Sequence, residues 1–357
     1  MASLKDIEFM KKALKLAKLG EGNTSPNPMV GAVVVKKGEI IGRGYHRKAG
    51  LPHAEIEAFN DAVNKGHILK GSTLYVTLEP CCHLDKRTPP CTEAIMHEGI
   101  RKVFVGTLDP NPKVSGNGVD YLKGKGIKVE SGILEEDCRN INEFFNSYIV
   151  NKIPFVVLKM ASTIDGKIAS KTGDSKWIGS PEQRKIAHEL RSKVDGVLVG
   201  INTVLKDDPQ LNVRISKKNI TQPVPIVLDS KLRIPLNSNI FKIHDKSIIV
   251  TTSENRSKVR KLENVGAVVL KVRSNKEGMI SIKDLLRRLG KMEFSSILIE
   301  GGSQVGASFL KQKLVDKVNF FISPRIIGGD GISMIGDLNK VSIKDSIEIK
   351  NPNIKKF

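Results

Sequence analysis

The segment from His53 to Cys91 constrains this chain more than any other. It opens with His53-Ala54-Glu55 and closes with Pro80-Cys81-Cys82-His83-Leu84-Asp85-Lys86-Arg87-Thr88-Pro89-Pro90-Cys91. One imidazole and two thiolates can grip zinc and leave its remaining tetrahedral position to water. Zinc lowers the pKa of such a water to about 7, and a carboxylate beside the metal but not bound to it can carry protons through a hydrolytic step. His53, Cys81 and Cys91 are therefore the expected metal ligands and Glu55 the expected proton carrier. Cys81 is chosen because it follows Glu79-Pro80 directly. Two alternatives stay open: Cys82 as the ligand in its place, or Cys82 or His83 closing a purely structural site.

A histidine and a glutamate two apart, followed by Pro-Cys and a later Cys, form the pattern of zinc nucleobase deaminases. The rest of the composition is compatible with a soluble enzyme. The chain has 357 residues, enough for two domains, with 39% hydrophobic and 27% charged residues. No run of 18 apolar residues occurs and the N-terminus lacks an apolar signal core, so neither membrane nor export is expected. Three of the four cysteines lie in the motif, which fits a reducing cytoplasm, and Cys138 is expected to be a small buried or half-buried residue. The net charge of +20 raises nucleic acid as a partner. Aromatic content of 5% and scattered lysines argue against it.

Taken in order, residues 4–19 carry a helical apolar stripe. Strands are expected at 30–35 and 40–45 around a Lys36–Glu39 turn, then a helix containing His53 and Glu55, a strand 73–78 delivering Cys81, a helix 92–98, strands 102–106 and 127–130, and a helix 135–148. This order suggests a mixed sheet covered by helices. A polar break at Asn151-Lys152-Ile153-Pro154 divides the chain into 1–150 and 151–357. In the second part, strands are expected at 155–161, 194–199, 225–228, 247–250, 268–272, 296–299 and 317–322, with helices near 181–191, 282–289 and 305–311. The alternation indicates a second α/β domain. Glu300-Gly301-Gly302-Ser303, between a strand and a helix, suits a phosphate-binding turn, although it is not the G-x-G-x-x-G of a Rossmann fold.

The whole chain resembles the bacterial-type bifunctional riboflavin-biosynthesis deaminase–reductases. The N-terminal half matches in Thr24-Ser25-Pro26-Asn27-Pro28-Met29-Val30-Gly31, in His53-Ala54-Glu55 and in the cysteine segment. That segment departs from the family's P-C-x-H-x-G-[RK]-T-P-P-C by one extra residue and a missing glycine at Leu84-Asp85-Lys86-Arg87. The C-terminal half matches in 159–167, 175–178, 200–211 and 299–302. The resemblance implies an α/β fold, with a cytidine-deaminase-like mixed sheet bearing helices on both faces and a dihydrofolate-reductase-like domain using NADPH. It also implies site residues. Asn27, His46 and His83 would hold the pyrimidine or ribose. Ala161, Trp177, Thr203, Asp207, Ser230 and the turn Gly302, Ser303, Gln304, Val305, Gly306, Ala307, Ser308 would contact the dinucleotide. Ser175, Arg191, Leu211, Arg214 and Glu300 would contact a phosphoribosyl substrate.

The implied chemistry is hydrolysis of the 2-amino group of a 2,5-diamino-6-(phosphoribosylamino)pyrimidinone, then reduction of the ribosyl group to ribityl, with Asp207 and Lys159 as groups to test for the proton. The partner is a small molecule, and a homo-oligomer is expected. The rival readings are a monofunctional, tRNA-type deaminase with a C-terminal binding domain, and a zinc-stabilised binding protein.

Overall fold

The computed structural model describes residues 2–82, 90–111, 114–176, 178–216 and 220–356. They form two compact units, Met1–Lys152 and Ile153–Phe357.

The first unit runs α1 (Leu4–Ala17), β1 (Gly31–Lys36), β2 (Glu39–Tyr45), α2 (Ala54–Asn64), β3 (Thr73–Leu78), α3 (Cys91–His97), β4 (Lys102–Thr107), α4 (Asn117–Gly124), β5 (Lys128–Ser131), α5 (Glu135–Asn140) and α6 (Glu143–Asn151). The sheet order is β2-β1-β3-β4-β5, with β1 antiparallel to both neighbours and β3, β4 and β5 parallel. Both faces are buried because side chains alternate across a strand. Ala32, Val34, Leu74, Val76, Val103 and Val105 join α2, α3 and α4 in one core. Val33, Val35, Tyr75 and Phe104 face Met10, Ala13 and Cys138 in the other. Cys138 is thus the buried residue its isolation in the sequence suggested. The β1–β2 turn is two residues, Lys37 and Gly38, both at positive φ; this is the geometry that matches the twist of a hairpin.

Two differences from the sequence reading come from contacts with distant segments. The helix expected over 135–148 is two helices, because Asn142 between them turns its amide onto another segment. Its Oδ1 accepts from Met29 N (2.7 Å) and its Nδ2 donates to Met29 O (2.9 Å). The helix α4 was not anticipated; Gly116 precedes it and Gly118 lies in its first turn. Gly118 is there for space: a Cβ would sit 2.2 Å from Pro80 O.

The second unit runs β6 (Phe155–Thr163), β7 (Lys167–Ala169), α7 (Pro181–Arg191), β8 (Gly196–Gly200), α8 (Ile201–Asp207), β9 (Val224–Leu228), α9 (Asn239–Ile243), β10 (Ser247–Thr251), α10 (Arg256–Asn264), β11 (Ala267–Lys271), α11 (Ile282–Lys291), β12 (Ser296–Glu300), α12 (Ser303–Lys311), β13 (Lys317–Ser323) and β14 (Ile332–Ser333). Seven strands form one sheet, β11-β10-β9-β8-β12-β6-β13, with every pairing parallel, and β7 pairs with β14 in a separate ribbon. Strands covered on both faces read as continuous apolar runs, which is why β10 and β12 were plain in the sequence; both are buried throughout. The short helices α8, α9 and α10 were not anticipated. The nine residues of α10 bury only Leu262, too few for a visible period. The order reverses between β8 and β12, and ligands of open α/β sheets bind outside the carboxyl ends of strands at such a switch point.

Candidate active site

In the first unit, the helix start and the strand end meet. His53 is not inside α2 but is its N-cap, extended at φ −73° and ψ 164°. Close packing of α2 on β2 fixes this position: a Cβ on Gly44 would lie 2.3 Å from Ala54 O. Cys81 leaves β3 through Pro80, and Cys91 is the first residue of α3. His53 Nδ1 lies 3.2 Å from Cys91 Sγ and 3.7 Å from Cys81 Sγ. Cys91 N donates to Cys81 Sγ (3.4 Å), and Cys81 O accepts from Thr92 N (3.2 Å). Among the described residues His53, Cys81 and Cys91 form the one cluster of this kind. Cys82 is half-buried and outside it; His83 lies outside the described residues.

Glu55 is 3% exposed beside this cluster. Burial pushes its carboxyl above the ordinary range, against the opposing pull of His53. The Cys91 thiol is held well above its usual value by its hydrogen bond with Cys81, by burial and by the Glu55 charge. A buried thiol and a buried carboxyl that each resist negative charge beside the other are groups that a cation would relieve.

His46 and Asn27 stand at the same site. The His46 ring meets His53 edge to face at 5.5 Å between centroids. Its Nδ1 is 3.1 Å from Pro52 O, which can only accept, so Nδ1 carries the proton and Nε2 accepts from Asn27 Nδ2 at 3.1 Å. One residue of the motif does something its sequence did not disclose. The buried Glu79 carboxylate accepts four backbone N–H groups, from Asp109 (3.1 Å), Gly116 (2.9 Å), Gly118 (2.8 Å) and Val119 (3.1 Å). It ties the segment after β4 to the strand end carrying Cys81. Glu79→Gln replaces one acceptor with a donor facing N–H groups. It is expected to destabilise this unit by about 2 kcal/mol, read from denaturant unfolding.

In the second unit a cavity of about 1400 Å³ opens at the carboxyl ends of β6, β12, β8 and β9. Of the residues expected on the dinucleotide, Ala161, Thr203, Asp207, Ser230, Gly302, Ser303, Gln304, Val305 and Ser308 line it. Gly306 and Ala307 do not; they are buried on the inner side of α12, where a Cβ on Gly306 would meet Leu158 at 3.4 Å. Trp177 lies outside the described residues. Gly301 and Gly302 have φ of 71° and 82°, the left-handed conformation that lets this turn start α12.

Of the residues expected on the substrate, Ser175, Leu211, Arg191 and Glu300 line the cavity. Arg214 does not; its Nη1 donates to Gln210 Oε1 (2.8 Å) and Asn212 Oδ1 (2.6 Å). Arg191 reaches the wall already engaged. Its Nε and Nη2 donate to the two oxygens of Glu300 (2.6 and 2.8 Å), and its Nη1 donates to Asn212 O (3.0 Å). The Nε/Nη2 edge of the guanidinium is thus occupied by Glu300. Burial alone would raise the Glu300 carboxyl, but the Arg191 hydrogen bonds and charge outweigh it and hold it below its usual value.

Residues 3–107 match the family model for the cytidine and deoxycytidylate deaminase zinc-binding region, and residues 154–355 that for the RibD C-terminal domain. The riboflavin biosynthesis protein RibD of Aquifex aeolicus is 47% identical over 349 residues, 98% of this chain and 95% of its own. The Escherichia coli protein of the same name is 35% identical, covering 97% and 96%. The chain belongs to the RibD family. Among crystal structures, a deaminase/reductase from Thermotoga maritima is similar with a TM-score of 0.81 at 44% identity, covering 92% of this chain and 89% of that one. Acinetobacter baumannii RibD gives 0.86 at 35% identity, covering 96% and 93%. As a RibD protein the chain is an α/β enzyme of riboflavin biosynthesis with two activities, a zinc-dependent deaminase and an NADPH-dependent reductase, acting on a small-molecule pyrimidine.

The residues present fit the metal. Zinc with Zn–N near 2.0 Å and Zn–S near 2.3 Å in tetrahedral array separates nitrogen from sulfur by about 3.5 Å, between the two separations found here, 3.2 and 3.7 Å. Since Cys82 stands outside the cluster, Cys82→Ala is expected to retain one zinc per chain and Cys81→Ala to lose it, as metal analysis after gel filtration would show.

Proposed function

We propose that residues 1–150 hydrolyse the 2-amino group of 2,5-diamino-6-(5-phosphoribosylamino)pyrimidin-4-one, and that residues 151–357 reduce the ribosyl group of the product to ribityl. The relative from Thermotoga maritima bears the names of both activities. The observation that carries the reading is the buried Glu55 beside three convergent metal donors. When bound, zinc supplies the Lewis acidity that makes a water acidic at neutral pH, and NADPH supplies hydride. His53, Cys81 and Cys91 hold the metal. Glu55 takes one proton of the attacking water on a carboxylate oxygen and gives it to the ring nitrogen; it then takes the second from the new hydroxyl on the ring carbon and gives it to the amino group, so that the C–N bond breaks and ammonia leaves as the carbonyl forms. Asn27 and His46, hydrogen-bonded to each other beside His53, stand where Asn27 meets the substrate's polar edge.

In the second unit Arg191 acts mainly through Glu300, which it orients at the cavity wall. Ser175 and Leu211 shape the substrate end. The protein works in the cytoplasm as a homo-oligomer with no nucleic-acid partner. None of its four cysteines is in a disulfide, and no helix among the described residues is long and apolar enough to cross a membrane. The test is to incubate the zinc-replete protein with the diaminopyrimidinone and NADPH, following ammonia and pyridine-nucleotide absorbance together. Ammonia release without NADPH oxidation would overturn the reductase half.

A further inference from the structure

We propose that His188 and Gln222 are positioning residues of the reductase: they hold the segment from Gln210 to Arg214 so that Leu211 stands in the wall of the second-unit cavity. The proposal rests on reading that part of the wall, beside Ser175, Arg191 and Glu300, as the substrate end.

Residues 208–214, which follow α8, belong to no helix or strand, and two of them are strained. Asp208 (φ 38°) and Leu211 (φ 52°) lie in the left-handed region, where the Cβ of an L-residue crowds the backbone. Asp visits this region several times more often than most residues, whereas leucine has no such tendency. Leu211 is 2% exposed and lines the cavity. A residue keeps such a conformation only where its surroundings over-determine it, and residues of this kind gather at ligand clamps.

Three elements supply the surroundings. From α9, Asn239 N donates to Asp208 Oδ1 (2.9 Å), and the capping His244 donates through Nε2 to Gln210 O (2.7 Å). From the approach to β9, Gln222 Oε1 accepts from Val213 N (2.7 Å) and Gln222 Nε2 donates to Val213 O (3.2 Å). One side-chain amide thus pairs with one residue as a neighbouring strand would. From the last turn of α7, Arg191 Nη1 donates to Asn212 O (3.0 Å), and His188 Nδ1 accepts from Arg214 N (3.3 Å). Leu211 therefore sits between two carbonyls that are each held, with the two residues beyond them held as well.

Of these contacts, the one made by His188 depends on a proton. A backbone N–H can only donate, so Nδ1 is bare and the neutral ring carries its hydrogen on Nε2. His244 donates to Gln210 O whether charged or neutral, and Gln222 does not titrate. The groups facing His188 are Arg191 on its own helix, Arg214 and the Asn212 carbonyl on the held segment, and Glu300 at the end of β12. Burial, then the charges of Arg191 and Arg214, keep the imidazole below its ordinary 6.5 against the pull of Glu300 and the carbonyl. The contact is intact at pH 7 and is lost as the pH falls through that lowered value, when a proton on Nδ1 meets the Arg214 N–H and a third positive charge joins the two arginines.

The test is steady-state reduction of the deaminated pyrimidine by NADPH with the full, zinc-replete chain, the KM of each reactant being measured separately. His188→Leu and Gln222→Leu are each expected to raise the KM for the pyrimidine roughly 5–10-fold, the scale of one lost hydrogen bond. The KM for NADPH should stay as it is, which also shows that the variants are folded. His188→Asn supplies an oxygen that can accept from Arg214 N and does not titrate. It is expected to hold the pyrimidine KM within about 2-fold at pH 7. The substrate's own phosphate, with a second pKa of about 6, titrates equally in both proteins. The readout is therefore the ratio of kcat/KM, His188→Asn over unaltered protein, which should rise as the pH falls below 6.5. Gln222→Leu should keep the acid limb of the unaltered protein. An unchanged pyrimidine KM in both leucine variants overturns the proposal and leaves the substrate-end reading in place, and a flat ratio overturns the part given to His188. A rise in the KM for NADPH alone overturns the substrate-end reading as well.

Discussion

Glu55→Gln lowers the rate of deamination roughly 10²–10⁴-fold, the usual contribution of a positioned general acid–base, while zinc content and NADPH oxidation on the deaminated substrate stay at the levels of the unaltered protein. Glutamine preserves the volume and most of the polarity of a side chain that is 3% exposed, so the packing of α2 on β2 has no reason to change. What disappears is the oxygen that can accept a proton. Zinc is retained because Glu55 is outside the donor set of His53, Cys81 and Cys91. The measurement is paired: ammonia release from the diaminopyrimidinone, and metal content of the same preparation. Loss of zinc together with activity would mean that Glu55 is a ligand and not a proton carrier. Parallel loss of the reductase activity would mean that the two chemistries are not separate.

Arg191→Ala destabilises the second unit by about 3–5 kcal/mol, because removing one partner of a buried ion pair strands the other. The side chains of Arg191 and Glu300 are 14% and 10% exposed, and Glu300 stands at the end of the central strand β12. Denaturant unfolding measures the effect, and Arg191→Met/Glu300→Leu should recover much of it, since no uncompensated charge then remains. The pH dependence has a defined sign. Glu300 is held below its ordinary value of 4.5, so the pair's contribution is fully present above that pH and is lost as the pH falls through the lower folded-state value. The coupling between the two residues, measured by double-mutant cycle at pH 7, should therefore persist to pH 5 and fade only below 4.5. If Arg191→Ala instead left stability intact and raised only the reductase KM, Arg191 would be a direct phosphate clamp and the Glu300 pairing incidental.

The sequence by itself marked most of the strands and the longer helices, and it pointed to the metal donors with Cys81 and Cys82 left as alternatives. Continuous apolar runs marked β10 and β12, two-face burial made β1 and β3 plain, and the types and order of His53, Glu55, Cys81 and Cys91 pointed to one kind of chemistry. Those signals are local: they depend on side-chain period and residue type. What it did not disclose depends on partners far along the chain. Asn142 breaks a helix to hold Met29, Glu79 gathers four N–H groups 30 to 40 residues away, and Arg191 gives its paired edge to Glu300 109 residues on. The strained backbone of Leu211 was hidden for the same reason, because it follows from hydrogen bonds that α7, α9 and Gln222 make around it. A side chain's type says which bonds it is able to make. Only the packed chain decides which partner takes them, because a buried polar group must pair with whatever the fold brings within reach.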